Sequence, residues 1–130
     1  MEDLQDQIRN AITVVQADIR WWPGSETAHL LKRKVRNHLP LSATLDDYER
    51  IIKSVVHDRD ARVFVYWFEQ RPYPTVVSVV EGHHWLVMFD LDGVLESAYL
   101  VERPDRYLNR TEFELLGTMS EIQDEQPDGN

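Results

Sequence analysis

The stretch His83-His84-Trp85-Leu86-Val87-Met88-Phe89-Asp90-Leu91-Asp92-Gly93-Val94-Leu95-Glu96-Ser97-Ala98-Tyr99-Leu100-Val101-Glu102 reads as two strands about a turn. Asp92-Gly93 is a strong hairpin signal, because a tight two-residue loop needs positive φ and these residues tolerate it. Such a loop pairs Leu91 with Val94, Met88 with Ser97 and Leu86 with Tyr99. Strand side chains alternate, so Ser97 and Tyr99 share a sheet face with His84, Leu86 and Met88.

Upstream, Thr75–Val80 and the β-branched, aromatic run Ala61–Phe68 read as two more strands. Gly82 and Arg71-Pro72-Tyr73-Pro74 supply the connections. The result is a four-stranded antiparallel meander. Before Asp58-Arg59-Asp60 the period is helical. Leu4, Ile8, Ala11, Ile12, Val15 and Ile19 make one amphipathic face, which Trp21-Trp22-Pro23-Gly24 ends. Ser25 caps a second helix running to Asn37, with Glu26 in its first turn. Thr44 caps a third, with Asp46 and Asp47 at its positive end and Leu45, Tyr48, Ile51, Ile52, Val55 and Val56 as its buried face. Pro104 ends the fourth strand, and 112–122 is expected to form a short helix. The expected fold is α+β: three N-terminal helices packed on one face of the meander, with a short C-terminal helix. Residues 1–122 form one domain, and 123–130 an acidic disordered tail.

The chain has 130 residues, 42% of them apolar and thirteen of them aromatic, which is enough for a packed core and excludes wholesale disorder. There is no cysteine, so disulfides, thiolate nucleophiles and cysteine-bound zinc are excluded. Met1–Asp6 is acidic and has no signal-peptide pattern, and the apolar runs are too short to span a bilayer. We expect a cytoplasmic chain without a membrane partner. The net charge of −9 is uneven: residues 1–18 carry −3, residues 112–130 carry −6, and the middle is balanced. Such a chain is a poor general binder of nucleic acid, although a local basic patch still engages phosphate.

The second helix carries such a patch. At about 100° per residue from His29, Lys32 falls near −60°, Arg36 near −20° and Arg33 near +40°. Ala28, Leu31, Val35 and Leu39 fall beside them and are read as the core face. Cations around His29 favour its neutral form, which a general base needs. The same arc also fits an ordinary solvated basic face. Ser97 is either a tolerated polar position or a hydroxyl presented to a cleft. His83 and His84 point to opposite sides of a strand and do not chelate one ion, so no metal or other cofactor is expected. Trp67, Trp85, Phe64 and Phe89 are read as core. The Trp21-Trp22 pair is read as partly exposed, and so as a candidate partner surface.

Phe89-Asp90-Leu91-Asp92-Gly93-Val94-Leu95 locally resembles the first motif of the haloacid dehalogenase phosphotransferases. That motif needs a Rossmann-like context and a later lysine, and no lysine follows Gly93. The hairpin reading is therefore preferred. A broader resemblance runs from Thr27-Ala28-His29-Leu30-Leu31-Lys32 through Leu45–Ile52 and His84–Gly93 to Ser97-Ala98-Tyr99. Over residues 27–103 the order of parts resembles the barnase–EndoU–colicin–RelE (BECR) group of metal-independent ribonucleases, of phage and toxin type. His29, Lys32, Ser97 and Tyr99 match positions where that group carries a histidine followed by a base, and a hydroxyl ahead of an aromatic. The resemblance implies general acid/base cleavage of RNA. In it His29 is the acid/base, Lys32 and Arg36 hold the phosphate, and Ser97 and Tyr99 position it.

The alternative is an acidic immunity- or antitoxin-like domain that binds a cognate basic protein without catalysis, since acidic surfaces steer such encounters. The partner expected from sequence is therefore RNA or a cognate toxin or antitoxin protein.

Overall fold

A computed structural model describes residues 3–124. Five helices, α1 (Leu4–Ala17), α2 (Ser25–Val35), α3 (Leu45–His57), α4 (Pro104–Tyr107) and α5 (Met119–Asp124), accompany six strands. The strands are β1 (Arg20–Trp21), β2 (Arg62–Phe68), β3 (Arg71–Val80), β4 (His83–Phe89), β5 (Val94–Val101) and β6 (Phe113–Thr118). They form one mixed sheet in the order β1-β5-β4-β3-β2-β6. The α+β class and the consecutive antiparallel meander β2–β5 are as the sequence implies.

Two strands were not expected. β1 pairs in parallel with the start of β5. It is two residues long, too short for any periodicity, and it occupies a stretch read as the end of a helix. β6 replaces most of the helix expected over 112–122 and pairs antiparallel with β2. The segment Phe-Glu-Leu-Leu-Gly-Thr has no clean strand alternation, and Gly117 adopts φ 146°, which no helix continues through. Only Met119–Asp124 is helical there. Gln123 and Asp124, assigned to the tail, belong to this helix: Gln123 Nε2 donates to Gln16 Oε1 at 3.0 Å, and Arg59 pairs with Asp124. Residues 125–130 of that tail lie outside the described residues.

α1 and α3 cover one sheet face. Ile8, Ile12 and Val15 meet Ile52, Val55 and Val56 over Val63, Val65, Val76, Val87 and Phe89. Each fully buried Val or Ile contributes about 1.5–3 kcal/mol. The expected capping box of α3 is present, with Thr44 Oγ1 accepting from Asp47 N–H and Asp47 accepting from Thr44 N–H. Tyr48 is fully buried at the centre, with its hydroxyl donating to the Ala98 carbonyl of β5. Trp85, Phe64 and Phe89 are buried as expected, while Trp67 is partly buried and its Nε1–H donates to Glu114.

The opposite face is also covered, which the one-sided packing expected from sequence lacked. Phe64, Val77, Leu86, Met88 and Val101 form a second core with Leu108 and Phe113. Tyr66, Tyr73, Tyr99 and Tyr107 pack against it.

The β4–β5 register is as expected at Met88–Ser97 and Leu86–Tyr99. The turn is not the expected two-residue loop. Gly93 N–H donates to Asp90 O, and Asp90 N–H to Val94 O, both at 3.0 Å, so the loop spans Asp90–Gly93. Asp90 Oδ1 accepts from Asp92 N–H at 2.9 Å and Val94 N–H at 3.0 Å, the local role its type favours. Gly93 has φ +83°, and a Cβ there would lie 2.6 Å from Val14 Cγ1, so the glycine lets α1 press on the turn. Among the described residues no helix is long and apolar enough to cross a membrane.

Candidate functional site

The end of α2 places the key side chains. Asn37 adopts φ 61°, and the N–H groups of His38 and Leu39 both donate to Arg33 O, at 2.8 and 3.3 Å. This left-handed termination closes the helix early and folds His38 back beneath Arg33. β1 pairs only with Val94 and Leu95 of β5. Farther along, the His38 ring takes over: its Nδ1 accepts from Leu100 N–H at 3.3 Å, and it meets Trp85 edge-on at 6.3 Å.

A cleft of about 1000 Å³ opens between α2, β5 and the segment after β5. Lys32, Arg33 and Arg36 line it from α2, and Ser97 and Tyr99 from β5. Arg103, Arg106 and Arg110 close its far side, beside Tyr107. Six cations thus face one lining carboxylate, Glu102, so the local charge is opposite in sign to the chain's. Arg110 pairs with Glu112 at 2.8 Å and lies over the Tyr107 ring. Among the described residues none of the other five forms an ion pair. Clustered cations without carboxylate partners repel one another and raise the local positive potential.

Arg33 is the most constrained of them. It is 4% exposed, and its guanidinium carbon stands 5.5 Å from the centre of the Tyr99 ring. Nη1 donates to His38 Nδ1 at 3.1 Å, and the buried Nε has no hydrogen-bond partner. Because His38 Nδ1 accepts from both Arg33 and Leu100 N–H, it carries no proton, which assigns the neutral Nε2–H tautomer. Burial and then the Arg33 charge hold this imidazole below its ordinary value, against the opposing pull of Glu102. The Tyr99 hydroxyl shares a 2.6 Å hydrogen bond with that of Tyr107. Burial pushes the Tyr99 phenol up, so it keeps its proton at neutral pH.

Of the residues singled out in the sequence, Lys32, Arg36, Ser97 and Tyr99 come together in this cleft. His29 is not among its lining residues. Its half-buried ring packs against Trp21 at 5.4 Å, and burial, then Arg33 and Lys32, hold it below the usual imidazole value. The core face read for α2 is also turned. Ala28 is exposed and Leu31 and Val35 are 61% and 76% exposed, while Leu30 and Arg33 face inward and Leu39, beyond the helix end, is buried as read. His38, Glu102, Tyr107 and the three arginines after β5 line the cleft but are not among the residues singled out in the sequence. A signal for the arginines exists, since Arg103, Arg106 and Arg110 recur at i, i+3 and i+7.

Among the described residues no group of three or more histidine, aspartate or glutamate side chains is arranged to hold a metal ion. Comparison of the chain with protein families, with curated proteins and with solved structures finds no match.

Proposed function

We propose that the cleft binds the phosphodiester backbone of RNA and that the domain is a ribonuclease-like module of toxin type, acting by general acid/base chemistry. The observation that carries this reading is the cluster Lys32, Arg36, Arg103 and Arg106. It lacks carboxylate partners and surrounds Ser97 and Tyr99 in an otherwise acidic chain. Phosphate neutralisation supplies most affinity for nucleic acid, and cations preorganised around phosphorus stabilise its pentacoordinate transition state.

In this reading the ribose 2′ oxygen attacks phosphorus, the O2′–P bond forms and the P–O5′ bond breaks. The 2′ proton passes to Glu102, the carboxylate lining the cleft, and the departing 5′ oxygen takes a proton from water in the open cleft. Tyr99 and Tyr107 offer rings on which a base stacks. His29, held against Trp21, orders the start of α2 rather than moving the proton.

Incubation with a short oligoribonucleotide tests this reading. Products ending in a 2′,3′-cyclic phosphate are expected, and a probe with one 2′-deoxy linkage should resist at that linkage. Glu102→Gln should slow cleavage by about 10²–10⁴, the usual share of general acid/base catalysis, and His29→Ala should not. RNA left intact and unbound at any salt concentration contradicts the proposal.

A second reading, an immunity-like domain that binds a protein without catalysis, rests on the net charge of −9 concentrated in the two ends. It predicts weak, salt-insensitive contact with RNA.

A further inference from the structure

A charge buried in a protein is normally paired, because desolvation costs more than packing returns. Arg33 departs from that rule. It lies under the cleft, almost wholly removed from solvent, and among the described residues it forms no ion pair. Among the described residues its guanidinium donates to a neutral imidazole, and its Nε–H has no acceptor. Tyr99 supplies a ring face but no counter-charge. The neighbours along the helix, Lys32 and Arg36, add repulsion. Arginine keeps its proton, so it cannot escape by neutralising.

We propose that Arg33 is the floor of a phosphate socket, with its missing counter-ion supplied by one phosphate group of the bound ligand. The inference rests on the reading of the cleft as a phosphodiester site, and adds the place where one phosphate is held and the residue that selects it. Lys32 and Arg36 flank the socket, and His38 holds the guanidinium from the side away from the free Nε. A phosphate above Arg33 offsets its charge and gives the guanidinium an acceptor.

A consequence links the socket to His38. That imidazole faces Arg33 and Arg36 from α2 and its end, Glu102 after β5, and the Trp85 ring and Leu100 N–H of the sheet. Phosphate over Arg33 cancels much of the nearest positive charge. His38 then becomes easier to protonate, and by linkage the socket holds phosphate more tightly as pH falls.

Inorganic phosphate is the probe, with sodium chloride at matched ionic strength as control. Two-dimensional NMR of the histidine rings follows His38 through a pH titration of the wild-type chain. Millimolar phosphate is expected to raise the His38 midpoint and shift the Arg33 Nε resonance, whereas chloride should do neither. Thermal melting gives the second arm. Phosphate should raise the wild-type Tm, and Arg33→Met should keep the ligand-free Tm while losing that rise. A purely structural Arg33 predicts the opposite, a lower Tm with the phosphate response intact, and would overturn the proposal. Arg33→Lys, which keeps the charge without the fork, should keep part of the response if the methionine variant fails to fold. An unmoved His38 midpoint in the wild type overturns the socket with no variant needed. Phosphate binding without RNA binding leaves the socket standing and removes the ribonuclease-like reading. RNA binding equal in wild type and Arg33→Met does the reverse.

Discussion

Leu100 N–H donates to Nδ1 of His38 at 3.3 Å, and this bond joins the end of α2 to β5 beyond the reach of β1. It also fixes which form of the histidine the fold accepts. Protonation at Nδ1 would break both this bond and the one from Arg33. His38 and His29 are each held below the ordinary imidazole value, first by burial and then by cations. A base with a depressed folded pKa binds fewer protons folded than unfolded. Stability is therefore complete above about pH 6.5, the unfolded value, and is lost as pH falls toward the folded values. Melts between pH 7.5 and 5 should show a falling Tm, and His38→Gln should flatten the fall. A Tm that rises on acidification through this range would contradict the assignment.

Tyr48 ties α3 to β5 through its hydroxyl and the buried Ala98 carbonyl. Tyr48→Phe keeps the ring but leaves that carbonyl without its donor, at a cost of about 1–3 kcal/mol. Urea unfolding should show this loss with an unchanged m-value. A variant as stable as wild type would mean the bond contributes nothing.

Gly93 and Gly82 share a positive φ, +83° and +82°, yet differ in surroundings. A Cβ at Gly93 meets Val14 Cγ1, and at Gly82 it meets nothing within 4 Å. Gly82→Ala should cost about 1 kcal/mol for its backbone conformation alone. Gly93→Ala should cost more, because the α1 contact must also give way. Thermal melts of the two variants check the order, and equal losses would show that α1 does not press on the turn.

The exposed side of α2 gives a fourth expectation. Leu31→Glu and Val35→Glu should each change stability by less than about 0.5 kcal/mol, since both side chains are mainly in water. Had they been core, as the helical spacing suggested, each would cost several kcal/mol. Chemical denaturation separates these outcomes cleanly.

Those two residues show where sequence patterning stops being informative. In α1 and α3 the apolar stripe and the buried face coincide, because each helix packs directly on the sheet. In α2 the stripe at Ala28, Leu31 and Val35 faces water, and the inward positions go to Leu30 and to Arg33, a residue whose type argues for the surface. The β4–β5 register was legible from side-chain alternation, although the turn consumed Asp90 as well as Asp92-Gly93. β1 and β6 were not legible, since each depends on a distant partner strand rather than on its own period. Half of the cleft was visible as a helix face and a strand face. His38 was not, because its role follows from the left-handed Asn37 that turns it back under Arg33.

The role proposed for the unpaired cations of the cleft is to bind RNA phosphates. Fluorescence anisotropy of a labelled single-stranded oligoribonucleotide across a salt series tests it most directly. The wild-type chain is compared with the combined Lys32→Ala, Arg36→Ala, Arg103→Ala, Arg106→Ala variant. Log affinity should fall linearly with log salt, and the slope should drop by about 0.7 for each phosphate contact removed, together with a loss of affinity. Identical affinity and salt slope in wild type and variant, with both proteins folded, would show that these cations do not bind RNA.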